Sequence, residues 1–353
     1  MQIKIGSRLI SQNEKPYFIA DIAANHDGDI QRAYKLIELA KEAGADAAKF
    51  QNFKAAKIVS KNGFNLIPKQ SHQANWDKSV YEVYEDASLD DDWTEKLKNK
   101  CIEVGVEYMT SPYDFEAVDH AEDFVNAYKI GSGDITWIEI LEYIAKKNKP
   151  ILLATGASDI TDVDRAVKAI TDINKQLIIM QCNTNYTASA DNYKFINLNV
   201  LKTYSDKYKD CILGLSDHTF GHSTVLGAIA LGARVIEKHF TDDNNRIGPD
   251  HKFAMNPITW KEMVNASIDL WQALGDGIKR VEDNEEESHF IQQRGIYLSK
   301  SLKKGEIIKK EYLYPLRPLF RDGISPNILN DIVGQTLKND IDEGAYVRWE
   351  DIK

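Results

Sequence analysis

The chain lacks the features that would place it in several large classes. Its 353 residues hold three cysteines, Cys101, Cys182 and Cys211, far apart and with no CxxC pair. That spacing argues against a disulfide scaffold and a cysteine-based zinc or redox motif. It predicts buried thiols in a reducing compartment. No apolar run approaches the roughly 20 residues that span a bilayer, and the first residues carry no signal-peptide core. A cytoplasmic protein without a membrane partner is expected. Positive charge is in deficit, with 44 Lys and Arg against 54 Asp and Glu, a formal net charge of -10. No nucleic-acid partner is expected at that balance, although local lysines can still receive an anion. There is also no GxGxxG after a strand-like run, so the dinucleotide fingerprint of open α/β sheets is missing.

What is present is a rhythm. Short apolar runs occur at 17–22, 47–50, 107–110, 127–130, 151–154, 177–181, 212–215 and 235–239. They are apolar throughout rather than alternating, as parallel strands buried on both faces are. Stretches of helical period lie between them, at 30–43, 91–104, 115–123, 138–146, 160–173, 223–231 and 258–274, with 197–204 weaker. The first of these sets Ile30, Ala33, Leu36, Ile37 and Ala40 on one stripe and stops at Gly44. Eight such units over about 250 residues predict an α/β fold, a closed (β/α)8 TIM barrel, with a doubly wound open sheet as the alternative. Residues 54–89 break the rhythm and read as a functional loop above the barrel.

Past residue 275 the composition changes. The expected organisation is a barrel domain over 1–275, a linker over 276–292 with an acidic run, and a small β-rich domain over 293–353. Strands are expected there at 295–299, 306–308 and 345–349. A domain of that size is near the lower limit for independent stability and needs a surface to pack on.

The active site of such a barrel lies at the carboxyl ends of its strands. Two successive strands end in His218 and His239. Two neutral imidazoles at one edge, with coordination positions left open, suit a divalent metal that also meets a substrate. Lys49 and Lys129 sit inside short apolar strands, where a lysine is costly unless it meets an anion. With Ser111, Ser132 and the Gly131 amide they would cradle a phosphate or carboxylate. Asp21, Asp134 and Asp250 could hold hydroxyls or move protons. Asp217 reads equally well as a helix cap.

These residues stand in motifs that resemble the sialic acid synthases. The motifs are Ala20-Asp-Ile-Ala-Ala-Asn-His-Asp-Gly28, Ala43-Gly-Ala-Asp-Ala-Ala-Lys-Phe-Gln51, Tyr128-Lys-Ile-Gly-Ser-Gly133, Gly214-Leu-Ser-Asp-His-Thr219, Glu237-Lys-His-Phe-Thr241 and Gly248-Pro-Asp-His251. The C-terminal segments Lys303-Lys-Gly-Glu306, Leu316-Arg-Pro318 and Gly323-Ile-Ser-Pro326 resemble the antifreeze-like (SAF) domain of that family. The resemblance implies condensation of phosphoenolpyruvate with an N-acylated hexosamine, aided by a divalent metal, usually Mn²⁺, with Mg²⁺ or Co²⁺ as alternatives. It implies that His218 and His239 ligate the metal. Lys49, Ser111, Lys129, Ser132, Asn183, Thr184 and Ser216 would hold phosphoenolpyruvate, and Gln51, Tyr186, Asp250 and Arg317 the sugar. Asp134 would handle the proton, with Asp21 beside it in the catalytic set. It also implies a domain-swapped homodimer in which Arg317 comes from the partner subunit.

The chain departs from that pattern in places. Asp21 and Asp134 stand where these synthases usually carry Glu, so each carboxylate retreats by about 1.5 Å. Asn183-Thr184 reverses the usual order, Ser111 replaces threonine, and the loop after Arg317 is longer. Asp21, Asn183, Thr184 and that loop are expected to face the sugar. The acceptor is thus open between N-acetylmannosamine and a diacetamido-dideoxy hexose. Other readings are a phosphoenolpyruvate-dependent 3-deoxy-ulosonate synthase using another aldose, a non-catalytic saccharide-binding protein, and a metal-dependent sugar isomerase.

Overall fold

The computed structural model describes residues 1–67, 76–187 and 189–352, and divides into two units, Met1–Gly275 and Asp276–Lys353. Each apolar run expected as a barrel strand is one. In the first unit the elements are β1 (Ile3–Ile5), β2 (Arg8–Ile10), β3 (Tyr17–Asp21), α1 (Ile30–Glu42), β4 (Ala47–Asn52), α2 (Ala55–Ile58), α3 (Val80–Ala87), α4 (Trp93–Val104), β5 (Glu107–Pro112), α5 (Phe115–Ala121), β6 (Tyr128–Ile130), α6 (Ile138–Lys146), β7 (Ile151–Ala154), α7 (Ile160–Thr171), β8 (Leu177–Cys182), α8 (Val200–Lys207), β9 (Ile212–Asp217), α9 (Ser223–Ala230), β10 (Val235–His239) and α10 (Pro257–Leu274). Among the described residues, β3 to β10 form a closed barrel with parallel neighbours, β10 pairing with both β9 and β3. The fold is the expected TIM barrel.

Strand pleating divides the core in two. On the outward side, residues such as Phe18, Ala20, Ala48 and Phe50 pack under the helices. The α1 stripe meets them with Ala33, Leu36, Ile37 and Ala40. On the inward side Ile19, Ala47, Met109, Leu152, Ile178, Met180 and Val235 fill the barrel. Gly214 is required in that layer, because a Cβ there would come within 2.8 Å of the Val235 carbonyl oxygen and 2.9 Å of Met180.

The antiparallel hairpin of β1 and β2 was not anticipated. Its strands are too short to show a period, but Ile3, Ile5 and Ile10 join Tyr17 in the inner core and seal the amino-terminal end of the barrel. The 54–89 insertion contains α2, a 3₁₀ turn at Gly63–Leu66 and α3, while residues 68–75 of that expected loop lie outside the described residues. Ser79 and Glu82 form a capping box that starts α3.

The second unit contains α11 (Glu286–Gln292), β11 (Gly295–Leu298), β12 (Leu313–Leu316) and α12 (Leu329–Ile332). Part of the segment expected as linker is therefore helical. Its core gathers Ile296, Leu298, Leu302, Ile308, Leu313, Ile324, Leu337 and Val347. β12 contains Pro315, a residue disfavoured in strands, yet it pairs antiparallel with β11 as a two-stranded ribbon. There a proline can sit where no ladder donor is needed. The strands expected at 306–308 and 345–349 reduce to isolated bridges, Ile307 with Thr336, Tyr346 with Tyr297 and Arg348 with Gly323. Trp349 begins a 3₁₀ turn instead.

Candidate active site

The inward layer changes character toward the carboxyl end. One pleat above Ile19, Ala47, Met109, Ala127, Gly214 and Val235, the same face carries Asp21, Lys49, Ser111, Lys129, Ser216 and Glu237. All six are nearly inaccessible. One pleat higher on β4 and β10 stand Gln51 and His239. Register sets the neighbours: Lys49 lies beside Asp21, Asp21 beside His239, and Ser216 beside Glu237. The intervening residues point the other way. Asp217 and Lys238, also adjacent in register, form a buried ion pair on the outer face. Asp217 further accepts from the Thr219 and Thr224 hydroxyls at 2.8 and 2.7 Å. It is a structural residue, which was one of its two readings.

The lysines are not waiting bare for an anion. Lys49 Nζ is 2.7 Å from Asp21 Oδ2 and 3.8 Å from Glu237 Oε1. Lys129 Nζ is 2.6 Å from the same Glu237 oxygen, and Ser216 Oγ lies 3.4 Å from it. Burial opposes the charge on Lys49, but Asp21 and Glu237 outweigh it and hold its pKa above the usual lysine range. Burial likewise works against ionised Glu237, yet Lys129 and Lys49 bring it down to about 2. The expected cradle is thus two ammonium groups tied together by two carboxylates. Asp21, expected to face the sugar, turns its carboxylate onto Lys49. Glu237 was missed, although stepping back two residues from His239 along β10 would have found it. Its second oxygen, Oε2, is buried and has no hydrogen-bond partner among the described residues.

His218 and His239 converge as expected, with ring centroids 5.4 Å apart. His218 Nδ1 is 2.8 Å from the Asn183 carbonyl oxygen. A carbonyl only accepts, so Nδ1 carries the proton and Nε2 keeps its lone pair. Burial, and after it the charge of His239, takes the His218 pKa down to about 4, and burial also lowers His239. Both are neutral at pH 7, the form that ligates metals. His239 Nδ1 is buried without a hydrogen-bond partner among the described residues. Asp21 and Asp250 lie 3.7 and 3.8 Å from its two nitrogens. Among the described residues no three His, Cys, Asp or Glu side chains form a metal cluster. The donors fit a divalent cation held by two imidazoles whose remaining positions go to water and substrate.

Ser132 Oγ accepts from the Gly156 amide at 2.9 Å, and Gly156 must lack a side chain because a Cβ would fall 2.9 Å from that oxygen and 2.5 Å from Thr184 Cγ2. Asn183 acts through its carbonyl on His218, while its side-chain amide donates to Phe195 O at 3.3 Å. Tyr186 lies against His218 with ring centroids 4.3 Å apart. Asp250 Oδ2 accepts from the Ala24 amide at 3.3 Å. Burial raises Asp134 to about 6. Arg317 is exposed and belongs to the second unit. An open cleft has Gln51, Tyr186, His239 and Asp250 in its lining together with aromatic and aliphatic side chains from the insertion.

This is the constellation of a barrel synthase, and comparison with known proteins agrees. Residues 36–279 match the NeuB family and residues 293–353 the SAF domain. The chain is 35% identical over 343 residues to the N,N'-diacetyllegionaminic acid synthase of Legionella pneumophila, covering 96% of this chain and 94% of that one. It is 32% identical over 345 residues to a pseudaminic acid synthase of Campylobacter jejuni, covering 97% and 98%. Among solved structures, the N-acetylneuraminic acid (sialic acid) synthetase of Leptospira borgpetersenii superposes with a TM-score of 0.71 at 25% identity, covering 82% of this chain and 95% of that one. The chain belongs to the NeuB family. It is an enzyme, a synthase of the sialic acid synthase type carrying a C-terminal SAF domain. No helix among the described residues is long and apolar enough to cross a membrane.

Proposed function

We propose that the enzyme condenses phosphoenolpyruvate with an N-acylated hexosamine to give a nonulosonic acid and inorganic phosphate. The observation that carries this reading is the single polar layer in which two buried lysines adjoin two neutral imidazoles. The lysines, with Ser111, Ser132 and Ser216, match an acid bearing both phosphate and carboxylate. The imidazoles match a divalent cation, Mn²⁺ above all, which when bound would supply Lewis-acid polarisation of the sugar aldehyde. An isomerase would have no use for the lysines.

In this reading C3 of phosphoenolpyruvate forms a bond to the aldehyde carbon, whose oxygen becomes a hydroxyl. Water adds at C2, and phosphate leaves with its bridging oxygen as the C2 ketone forms. Lys49 and Lys129 hold the anion in line with the acceptor. Asp134, poised near pH 6, exchanges the proton. Gln51, Tyr186 and Asp250 orient the acceptor, and Asn183 fixes the His218 tautomer. Arg317 completes the sugar site from the partner subunit of a domain-swapped homodimer. Exposed apolar side chains on loops beyond β8, β9 and β10 support a partner at the barrel mouth: Phe195 at 65% exposure, Phe220 and Ile247.

Phosphate release from phosphoenolpyruvate, measured with Mn²⁺ and a panel of acceptors, tests the reading. The panel is N-acetylmannosamine, both diacetamido hexoses, mannose and arabinose 5-phosphate. Release with an N-acylated hexosamine, abolished in His239→Ala, is expected. Release only with arabinose 5-phosphate would replace it with a 3-deoxy-ulosonate synthase. No release from folded, Mn²⁺-supplied protein would overturn it.

A further inference from the structure

The barrel closes by pairing its last strand, β10, with its first, β3, so the loops that follow these strands are neighbours. Two consecutive residues of the β10 loop grip the β3 loop. Asp250 Oδ2 accepts from the Ala24 amide at 3.3 Å, and His251 Nε2 lies 2.9 Å from Asp27 Oδ1. His251 is inaccessible to solvent. Its other nitrogen, Nδ1, is 2.7 Å from the hydroxyl of Thr241, two residues beyond His239. Gly248 lets the loop close over this pair, because a Cβ there would fall 2.7 Å from His251 Cδ2 and 3.6 Å from Asp27 Oδ1.

Asp27 is the anchor. Burial opposes its charge, but hydrogen bonds from His251 and Arg246 outweigh it and hold its pKa below the usual carboxylate range. Arg246 comes within 2.7 Å of Asp27 Oδ2 and Arg32 within 3.1 Å. An ionised carboxylate only accepts, so His251 Nε2 donates to it. The imidazole therefore ties the end of β10 to the β3 loop, and both its nitrogens are engaged inside the fold. Its sequence neighbour Asp250 faces the site instead: it lines the cleft, and its Oδ2 lies 3.8 Å from His239 Nδ1. The Ala24 contact is long for an amide hydrogen bond, so the place of the Asp250 carboxylate depends on the backbone that His251 pins.

We propose that His251 is a positioning residue for the condensation: held between Thr241 and Asp27, it fixes the backbone from which Asp250 reaches the acceptor. The inference rests on the reading above in which Asp250 orients the sugar. His251 touches neither substrate and acts only through its neighbour.

A double-mutant cycle tests this. Phosphate release with Mn²⁺ gives kcat and KM for phosphoenolpyruvate and for the N-acylated hexosamine that supports turnover. His251→Ala is expected to lower kcat/KM for the hexosamine by about 10–100-fold, the scale on which a displacement of about 1 Å acts. KM for phosphoenolpyruvate is expected to stay within about 2-fold, because the lysine cradle is untouched. In an Asp250→Ala background the same change is expected to cost no more than about 2-fold, since no carboxylate is left to position. Thermal melts verify folding. If His251→Ala is unfolded at the assay temperature, Thr241→Val, which removes only the Nδ1 partner, takes its place in the cycle with the same expected pattern. Equal losses in the two backgrounds, or an unchanged kcat/KM for the hexosamine, overturn the positioning role and leave the synthase reading intact. Parental kcat/KM in Asp250→Ala alone overturns the role of Asp250 and this inference with it. Absence of turnover with every acceptor overturns the synthase reading itself, and both fall together.

Discussion

Replacing Glu237 by Gln isolates the role of the carboxylate between the two lysines. The change keeps the shape and removes one charge. In the parent, Glu237 Oε1 sits 2.6 Å from Lys129 and 3.8 Å from Lys49, with all three side chains at most 5% exposed. Lys49 keeps Asp21, but the Lys129 ion pair is lost. Removing one partner of a buried pair costs about 3–5 kcal/mol, because the other charge stays behind in a poor solvent. For a domain of this size that lowers Tm by about 6–10 °C, at roughly 2 °C per kcal/mol. The sign with pH follows from the depressed pKa of about 2. The contribution is fully present above the ordinary carboxylate range and is lost as pH falls toward 2, so pH 7 is the right condition. Phosphoenolpyruvate should close part of the gap, since its negative charge replaces the one removed. Differential scanning fluorimetry with and without phosphoenolpyruvate reads both effects. A variant as stable as the parent would refute the pairing argument. A gap that phosphoenolpyruvate leaves unchanged would refute the assignment of the lysines to the anion.

Three further outcomes follow from the same geometry. Asp134 must be ionised to accept a proton, so kcat/KM should fall as pH drops through about 6, and Asp134→Asn should lose at least about 10²-fold in rate together with that limb of the profile. If His218 and His239 are the protein's two ligands to a metal, a chelator should remove it: EDTA dialysis should abolish phosphate release and Mn²⁺ restore it, while His239→Ala weakens Mn²⁺ binding by at least about 10-fold by calorimetry. If Arg317 acts in the partner's site, co-refolding Arg317→Ala with His239→Ala should recover about a quarter of the parental sites, because half the dimers are mixed and each mixed dimer has one intact site. Recovery of none would place Arg317 in its own subunit's site, and full activity of Arg317→Ala alone would place it in neither.

Much of this protein was legible before folding was considered. Parallel strands buried on both faces must be apolar throughout, so runs such as 151–154 and 235–239 announced themselves. Their carboxyl ends are where a barrel gathers its chemistry, so His218, His239, Lys49 and Lys129 stood out as polar groups closing or interrupting apolar runs. Strand composition and the motifs around these residues are local properties, and local properties survive in a linear string.

Only closure of the barrel decided how those groups are used. Which face a strand residue takes depends on pleat and register, and these turned Glu237 inward onto two lysines from strands far away in sequence. They turned its neighbour Lys238 outward onto Asp217. Asp21 was visible as a strand-end carboxylate, but its partner Lys49 was assigned by lateral pairing of β3 with β4. The tautomer of His218 depends on a carbonyl from β8's loop. That Val83, Tyr84 and Ala87 of α3 line the cleft has no signature in a polar, aromatic insertion until the chain folds. Charge pairing and cavity shape are set by distances between residues remote in sequence, and those distances exist only in the closed barrel.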